Sequence, residues 1–220
     1  MVTVHIWDLP TRLFHWLLAA CVVGLLITGN VGGNAMVWHF RFGYAVLTLL
    51  LFRLIWGFLG GHWSRWSQFP LSLSQVWSYL RGQSVPAHRA GHNPLGSWSV
   101  LALLFFLAFQ VSTGLVSDDE IANMGPLSSL VSGSVVTWAT SWHKNVGQFI
   151  LLALIVLHLL ALGWYTFKRH ISLVPAMVHG DKKLTDVVTP SVDKTSSRLL
   201  ALLCLVLSAG SVALLLSLGA

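Results

Sequence analysis

The chain has 220 residues, of which 13 Lys/Arg and 7 Asp/Glu make only 9% charged, while 55% are hydrophobic and the mean hydropathy is +0.73. Soluble domains carry about 25% charged residues, so an ordinary soluble globule is excluded, as is a disordered chain, which needs low hydrophobicity. The net charge of +6 does not point to nucleic acid, because nucleic-acid binders gather their basic residues on a soluble face. The composition is that of an integral membrane protein, with lipid as its first partner.

Five apolar stretches are long enough to cross about 30 Å of hydrocarbon, which takes about 20 helical residues. The first, 12–29, has a basic n-region of a single residue, Arg12, and no clean small-x-small cleavage site, so it reads as a retained span rather than a signal peptide. The second, 40–59, stops at Gly60-Gly61. Within 66–82, Trp66, Phe69, Leu73, Val76, Trp77 and Leu80 recur at mixed three-to-four spacing, which predicts a short helix lying in the membrane interface. The third span, 96–116, follows Asn93-Pro94, an N-cap residue with proline at the first helical position. The fourth is 143–167 and the fifth 199–218. Unpaired backbone groups are not tolerated in lipid, so all five are helices, in a single membrane domain over 1–220. Cys21 and Cys204 lie inside apolar runs with no partner spacing and read as small packing residues.

Orientation follows the basic residues. Arg65, Arg81 and Arg89 fall between spans two and three, and Lys168, Arg169, Lys182, Lys183, Lys194 and Arg198 between spans four and five. The opposite side has Arg41 and Lys144 set against Asp118, Asp119 and Glu120. The N-terminus and both basic connections are therefore expected on the cytoplasmic side. Trp7, Trp38, Trp63, Trp66, Trp98, Trp138, Trp142 and Trp164 lie near span ends and read as an interfacial aromatic belt.

Ionisable residues within a membrane are costly and mark function. Of the 10 histidines, His5, His62, His88, His170 and His179 fall in connections. His15, His39, His143 and His158 fall at or within spans one, two and four. His143 and His158 are fifteen residues apart, about four helical turns plus 60° and about 22 Å, so one helix can present an imidazole near each surface. By depth, His39 pairs with His143 toward the outer side and His15 with His158 toward the inner side. Two axial imidazoles per iron suit a low-spin electron-transfer haem in a helix bundle. His39 and His143 each begin a His-x3-Gly motif, closed by Gly43 and Gly147, and a glycine four residues along shares the histidine's face. Those glycines would let a flat macrocycle approach the backbone; ordinary close helix packing by small residues is the alternative. Arg41 and Lys144 are candidates for haem propionates or for headgroup anchoring. His92 is open to three readings: a propionate contact, proton exchange with a quinone, or an interfacial residue at a helix start.

The run Val4-His5-Ile6-Trp7-Asp8-Leu9-Pro10-Thr11-Arg12-Leu13-Phe14-His15-Trp16, closing at Thr28-Gly29, resembles the bacterial cytochrome b561 family, including the b-type cytochrome subunits of nickel-iron hydrogenases. The resemblance continues through His39-x3-Gly43, Arg53, Trp56-Gly57, Gly91-His92-Asn93-Pro94-Leu95-Gly96 and Thr113-Gly114-Leu115 to Met177–Lys182. It implies a dihaem membrane cytochrome with iron ligands at His15, His39, His143 and His158. The fifteen-residue interval in span four is one longer than the fourteen expected in many relatives, which bears on the rotation of His158. The fifth span, with Ser208, Gly210 and Ser211 as its small-polar patch, lies outside the common four-helix core.

The expected protein is thus an all-α integral membrane protein, a four-helix haem-binding transmembrane bundle plus a fifth transmembrane helix. It is expected in the bacterial inner membrane, passing electrons through two b haems between the quinone pool and a periplasmic redox partner. The resemblance suggests a hydrogenase, another oxidoreductase or a c-type cytochrome as that partner, with the chain an electron-transfer subunit. One alternative is a self-contained quinol-oxidising enzyme using oxygen or superoxide. A haem-free transporter is the remote alternative, because no acidic residue falls inside the expected spans.

Overall fold

The computed structural model describes residues 1–171 and 173–219. Five helices are long and apolar enough to cross a membrane: α1 (Leu9–Val31), α2 (Met36–Leu59), α5 (Pro94–Leu115), the continuous path of α6 (Gly133–Trp142) and α7 (Gln148–Phe167), and α9 (Thr195–Ser217). Short helices α3 (Leu73–Leu80), α4 (Pro86–Ala90) and α8 (Val174–His179) lie in the connections. Many large side chains on the long helices face outward, among them Ile27, Phe58, Phe149, Leu160 and Leu207, which is the surface a helix shows to hydrocarbon rather than water.

The all-α membrane class holds, with one short addition: β1 (Val2–His5) and β2 (Asp181–Leu184) pair antiparallel, Val2 opposite Leu184 and His5 opposite Asp181. Two boundaries differ from expectation: the interfacial helix does not span 66–82, and span four starts early. Pro70 holds Phe69 in extended backbone (φ −83°, ψ 120°), so a single 3-10 turn at Trp66–Gln68 precedes the break and α3 starts only at Leu73. Span four begins ten residues earlier than 143, because Gly133–Trp142 is already helical.

The chain divides into two compact units. One comprises Met1–His15, Arg53–Ala102 and Val156–Cys204; the other comprises Trp16–Phe52, Leu103–Ile155 and the residues from Leu205. The first unit's core is built from Val4, Ile6, Trp7, Trp63, Ala90, Ala176 and Leu184, with Met177 and Val188 against it. Trp7 and Trp63 are each only 5% exposed, so they are core residues and not part of an interfacial belt; Trp38, Trp98, Trp138 and Trp164 are exposed as a belt requires. Alternation along β2 turns Lys182 and Leu184 inward and Asp181 and Lys183 outward.

Asp8 organises this unit. Its carboxylate caps α1 by accepting from Thr11 N (2.8 Å), and it also accepts from Gly61 N (2.9 Å), Ser64 Oγ (2.7 Å) and Trp56 Nε1 (3.2 Å). One buried carboxylate therefore ties the start of α1 to the end of α2. Gly180 ends α8 at φ +93°, a left-handed cap that favours glycine, and its carbonyl accepts from Ile6 N and Trp7 N at 2.8 and 3.0 Å. As the Asn93-Pro94 signal predicts, Asn93 Oδ1 accepts from Gly96 N (2.8 Å) and α5 starts at Pro94.

The second unit's core is Val46, Leu107, Val111 and Leu151, with Cys21, Leu25 and Phe106 among the apolar side chains packed on it. The small residues Ala201, Cys204 and Ser208, with Val212, form the buried stripe of α9 at helical spacing. Gly210 and Ser211, expected to share that patch, do not: Gly210 has nothing within 4 Å of a built Cβ and Ser211 is exposed.

Candidate functional site

In the second unit, His39 on α2 and His143 lie with ring centroids 6.2 Å apart and planes at 83°. Both rings are held alike. His39 Nδ1 is 3.1 Å from Leu25 O, with Thr28 Oγ1 at 3.4 Å. His143 Nδ1 is 2.9 Å from Gln110 O, with Thr113 Oγ1 at 3.4 Å. A carbonyl only accepts, so each Nδ1 carries the proton and each Nε2 keeps its lone pair, the tautomer a metal ligand needs. The next residue is glycine in both cases: a Cβ on Gly29 would come within 3.1 Å of the His39 ring and one on Gly114 within 2.8 Å of the His143 ring. The doublets Thr28-Gly29 and Thr113-Gly114 are thus two copies of one cradle on α1 and α5.

His143 opens a π turn, His143–Gly147, a feature that recurs at functional sites. A π turn takes up one residue beyond an α turn, and it falls inside the interval that is one residue longer than expected. Gln110 Nε2 donates to His143 O at 2.8 Å. Gly147 packs here: a Cβ on it would overlap Gln110 Oε1 and lie 2.8 Å from Trp142 Nε1. Gly43, in contrast, has nothing within 4 Å of a built Cβ. Arg41 is exposed and stacks on Trp38 at 4.9 Å. Lys144 is exposed beside His143 and lines an open cavity of about 550 Å³ together with Asp118, Asp119 and Thr140. In that loop, hydrogen bonds from the Asn123 side chain and then from the amides of Asn123, Ala122 and Ile121 hold the Asp119 carboxyl well below its usual range.

In the first unit, His15 on α1 and His158 on α7 are close enough for their charges to interact. His92, between α4 and α5, packs its ring on Trp7 (4.9 Å) and Phe69 (4.6 Å). Burial, and then the charges of Arg53 and Lys182, push its pKa down to about 3, so it is neutral at physiological pH. The bystander histidines have local roles: His5 Nδ1 meets Asp181 at 2.7 Å, His62 packs edge-on to Trp63, and His88 to Tyr79. Among the described residues no group of three or more His, Cys, Asp or Glu gathers into a metal site.

A helical membrane bundle carrying histidines in pairs is the class that the fold and these sites define. The prokaryotic cytochrome b561 family matches residues 6–180, and the chain belongs to that family. It is a b-type cytochrome, a class that carries haem b. The chain is similar to proteins named probable Ni/Fe-hydrogenase B-type cytochrome subunits: 24% identical to that of Bradyrhizobium diazoefficiens over 84% of this chain and 87% of the relative. It is 26% identical to that of Azotobacter chroococcum (83% and 90%), and 24% identical to the Ni/Fe-hydrogenase 1 subunit of Escherichia coli K12 (72% and 81%). No solved structure matches the chain.

The residues fit haem. His39 and His143 face each other at 6.2 Å, each with Nδ1 tied to a carbonyl and Nε2 left with its lone pair, the donor set that would hold a haem iron between them. Two functional features escape the sequence reading. Gln110 carries no signal of its own, whereas the Thr-Gly doublets are visible as motifs but show their histidine only after folding.

Proposed function

We propose that this chain is a dihaem b-type cytochrome that carries electrons between the quinone pool and a periplasmic redox partner, a hydrogenase first among them. The observation that carries the reading is the His39–His143 pair, with its 6.2 Å spacing and both Nδ1 protons tied to carbonyls. His39 and His143 would hold one haem; His15 and His158, which interact electrostatically in the other unit, would hold the second. Bound haem supplies a one-electron couple. The chain's part is to present neutral Nε2 atoms, to fix the rings through Leu25 O and Gln110 O, and to surround them with apolar side chains. Gly43 leaves its helix face clear for a flat group, while Arg41 and Lys144 offer positive charge beside the same pair. The names of the relatives support a hydrogenase partner, and the clustering of basic residues in two connections supports a cytoplasmic N-terminus in the bacterial inner membrane.

The test is a reduced-minus-oxidised spectrum with haem quantification on the detergent-purified chain. Two b haems per chain are expected. His39→Ala and His143→Ala should remove the same haem, and His15→Ala and His158→Ala the other. A colourless chain made with adequate haem supply, or His39 and His158 acting on one haem, contradicts the reading.

A further inference from the structure

Arg53 lies on α2 in the first unit, 4% exposed. Its guanidinium stands 3.9 Å above the ring of Trp66 and 5.9 Å from that of Phe69. Trp66 is pinned there, donating from Nε1 to Leu54 O at 3.1 Å. Gly57 makes room for it, since a Cβ at 57 would overlap the indole. His92 shares the Phe69 face at 4.6 Å and feels the charge of Arg53.

Two polar atoms of this cluster are buried with no hydrogen-bond partner among the described residues, Arg53 Nη1 and His92 Nδ1. The charges do not balance either. Asp8 is the carboxylate whose charge reaches Arg53, but its oxygens already accept from Thr11 N, Gly61 N, Ser64 Oγ and Trp56 Nε1. The neighbouring cation Lys182 gives its Nζ to Ala90 O at 2.7 Å and Arg89 O at 3.3 Å, so it adds positive charge and takes none away. A buried guanidinium with an idle N–H and no free counter-charge is costly unless an anion completes it. A quinone carbonyl could satisfy the donors but would leave the charge uncompensated; a carboxylate does both, and Arg binds carboxylates with charge-assisted hydrogen bonds.

We propose that Arg53, seconded by neutral His92 as an Nδ1–H donor, anchors a propionate carboxylate of the haem held by His15 and His158. The inference rests on that ligand assignment. Reduction adds an electron to the haem, so a fixed positive charge beside it favours the reduced form and raises its potential.

The test is a spectroelectrochemical titration of the detergent-purified chain with both haems resolved. Arg53→Gln should shift the His15–His158 haem about tenfold toward the oxidised form, about 59 mV downward for one electron, and leave the other haem in place. Arg53→Lys, which keeps the charge, should shift less. Reconstituting the chain with haem dimethyl ester, which has no propionate charge, identifies the anion. If the propionate is the partner, Arg53→Gln weakens retention of haem b at the His15–His158 site far more than retention of the esterified haem, whose ester forms no ion pair with the guanidinium. Equal loss of retention for the two haems assigns the anion to another source, such as a lipid phosphate, and overturns the proposal. So does an unchanged potential in Arg53→Gln, or equal shifts of both haems. If Arg53→Gln does not assemble, an esterified haem that keeps the potential of haem b in the unsubstituted chain overturns it as well. Should His15→Ala and His158→Ala both retain two haems, the ligand assignment is what fails; should they lose one while Arg53→Gln moves nothing, only the anchor fails.

Discussion

Gln110 holds His143 at two points: its carbonyl oxygen lies 2.9 Å from Nδ1 of the imidazole, and its side-chain amide donates to the His143 carbonyl at 2.8 Å. One residue of α5 therefore sets both the ring and the backbone of the first residue of the π turn. Such a turn departs from the α-helical hydrogen-bond pattern, and Gln110 gives its first carbonyl a donor from outside the helix. His39 has the matching ring contact to Leu25 O but sits in an ordinary α-helix, without the second grip.

Gln110→Leu keeps the backbone carbonyl and loses the amide. The haem proposed for His39 and His143 should then show altered low-spin EPR g-values, reporting a changed angle between the imidazole planes, while the signal of the haem proposed for His15 and His158 is unchanged. The loss in stability should be about 1 kcal/mol, the usual net value of one hydrogen bond, read from thermal unfolding in detergent.

The glycines beside the histidines should differ in a defined order. Gly114→Ala drives a methyl to 2.8 Å from the His143 ring and should cost the chain the haem proposed for His39 and His143. Gly29→Ala, at 3.1 Å from His39, should weaken retention of the same haem less severely. Gly43→Ala meets nothing within 4 Å, so a haem loss there, with unfolding otherwise unchanged, would show that the glycine faces the haem itself. Pyridine haemochrome assays on the three variants make the comparison.

Asp8→Ala leaves four donors and the first turn of α1 without their acceptor. Breaking a buried charged network of this kind costs about 3–5 kcal/mol. The variant should unfold at a markedly lower temperature, and its haem deficit should concern the His15–His158 site first, since His15 lies on the helix that Asp8 caps.

Burial pushes Lys182 down to about 8 from its ordinary 10.5. Between about pH 8 and 10.5 the unfolded chain therefore holds a proton that the folded chain has released, so stability from this residue rises with pH across that window and is lowest below it. Lys182→Met should flatten the slope of unfolding temperature against pH over the same range. An identical slope in both proteins would refute the assignment of that slope to Lys182.

The membrane class, the five spans and the histidines worth testing were legible in the sequence because each depends on local properties. Apolar run length matches the bilayer, and a His among apolar residues is conspicuous wherever the chain places it. The Asn93-Pro94 helix start was legible for the same reason, since a cap is made within one turn. The π turn at His143 was not, because neither His-Lys-Asn-Val-Gly nor its neighbours differ in pattern from an α-helix. Nor were the contacts of Gly147, Trp7 and Trp63: a small residue or an indole near a span end has several partners available, and only distant segments select among them.

By itself, then, the sequence determined that this chain lives in a membrane, roughly where it crosses, and which imidazoles fall at or within its spans. Only the tertiary structure decided how those imidazoles are held: Leu25 O for His39, Gln110 O for His143. It also decided where charge is buried, with Asp8 saturated by four donors and Arg53 left with a free N–H over Trp66. The reason is range. Hydrophobicity and helix signals act over a few residues, whereas tautomers, ring angles and buried-charge balance are set by groups 14 to 56 positions away in the chain that only folding brings within hydrogen-bond distance.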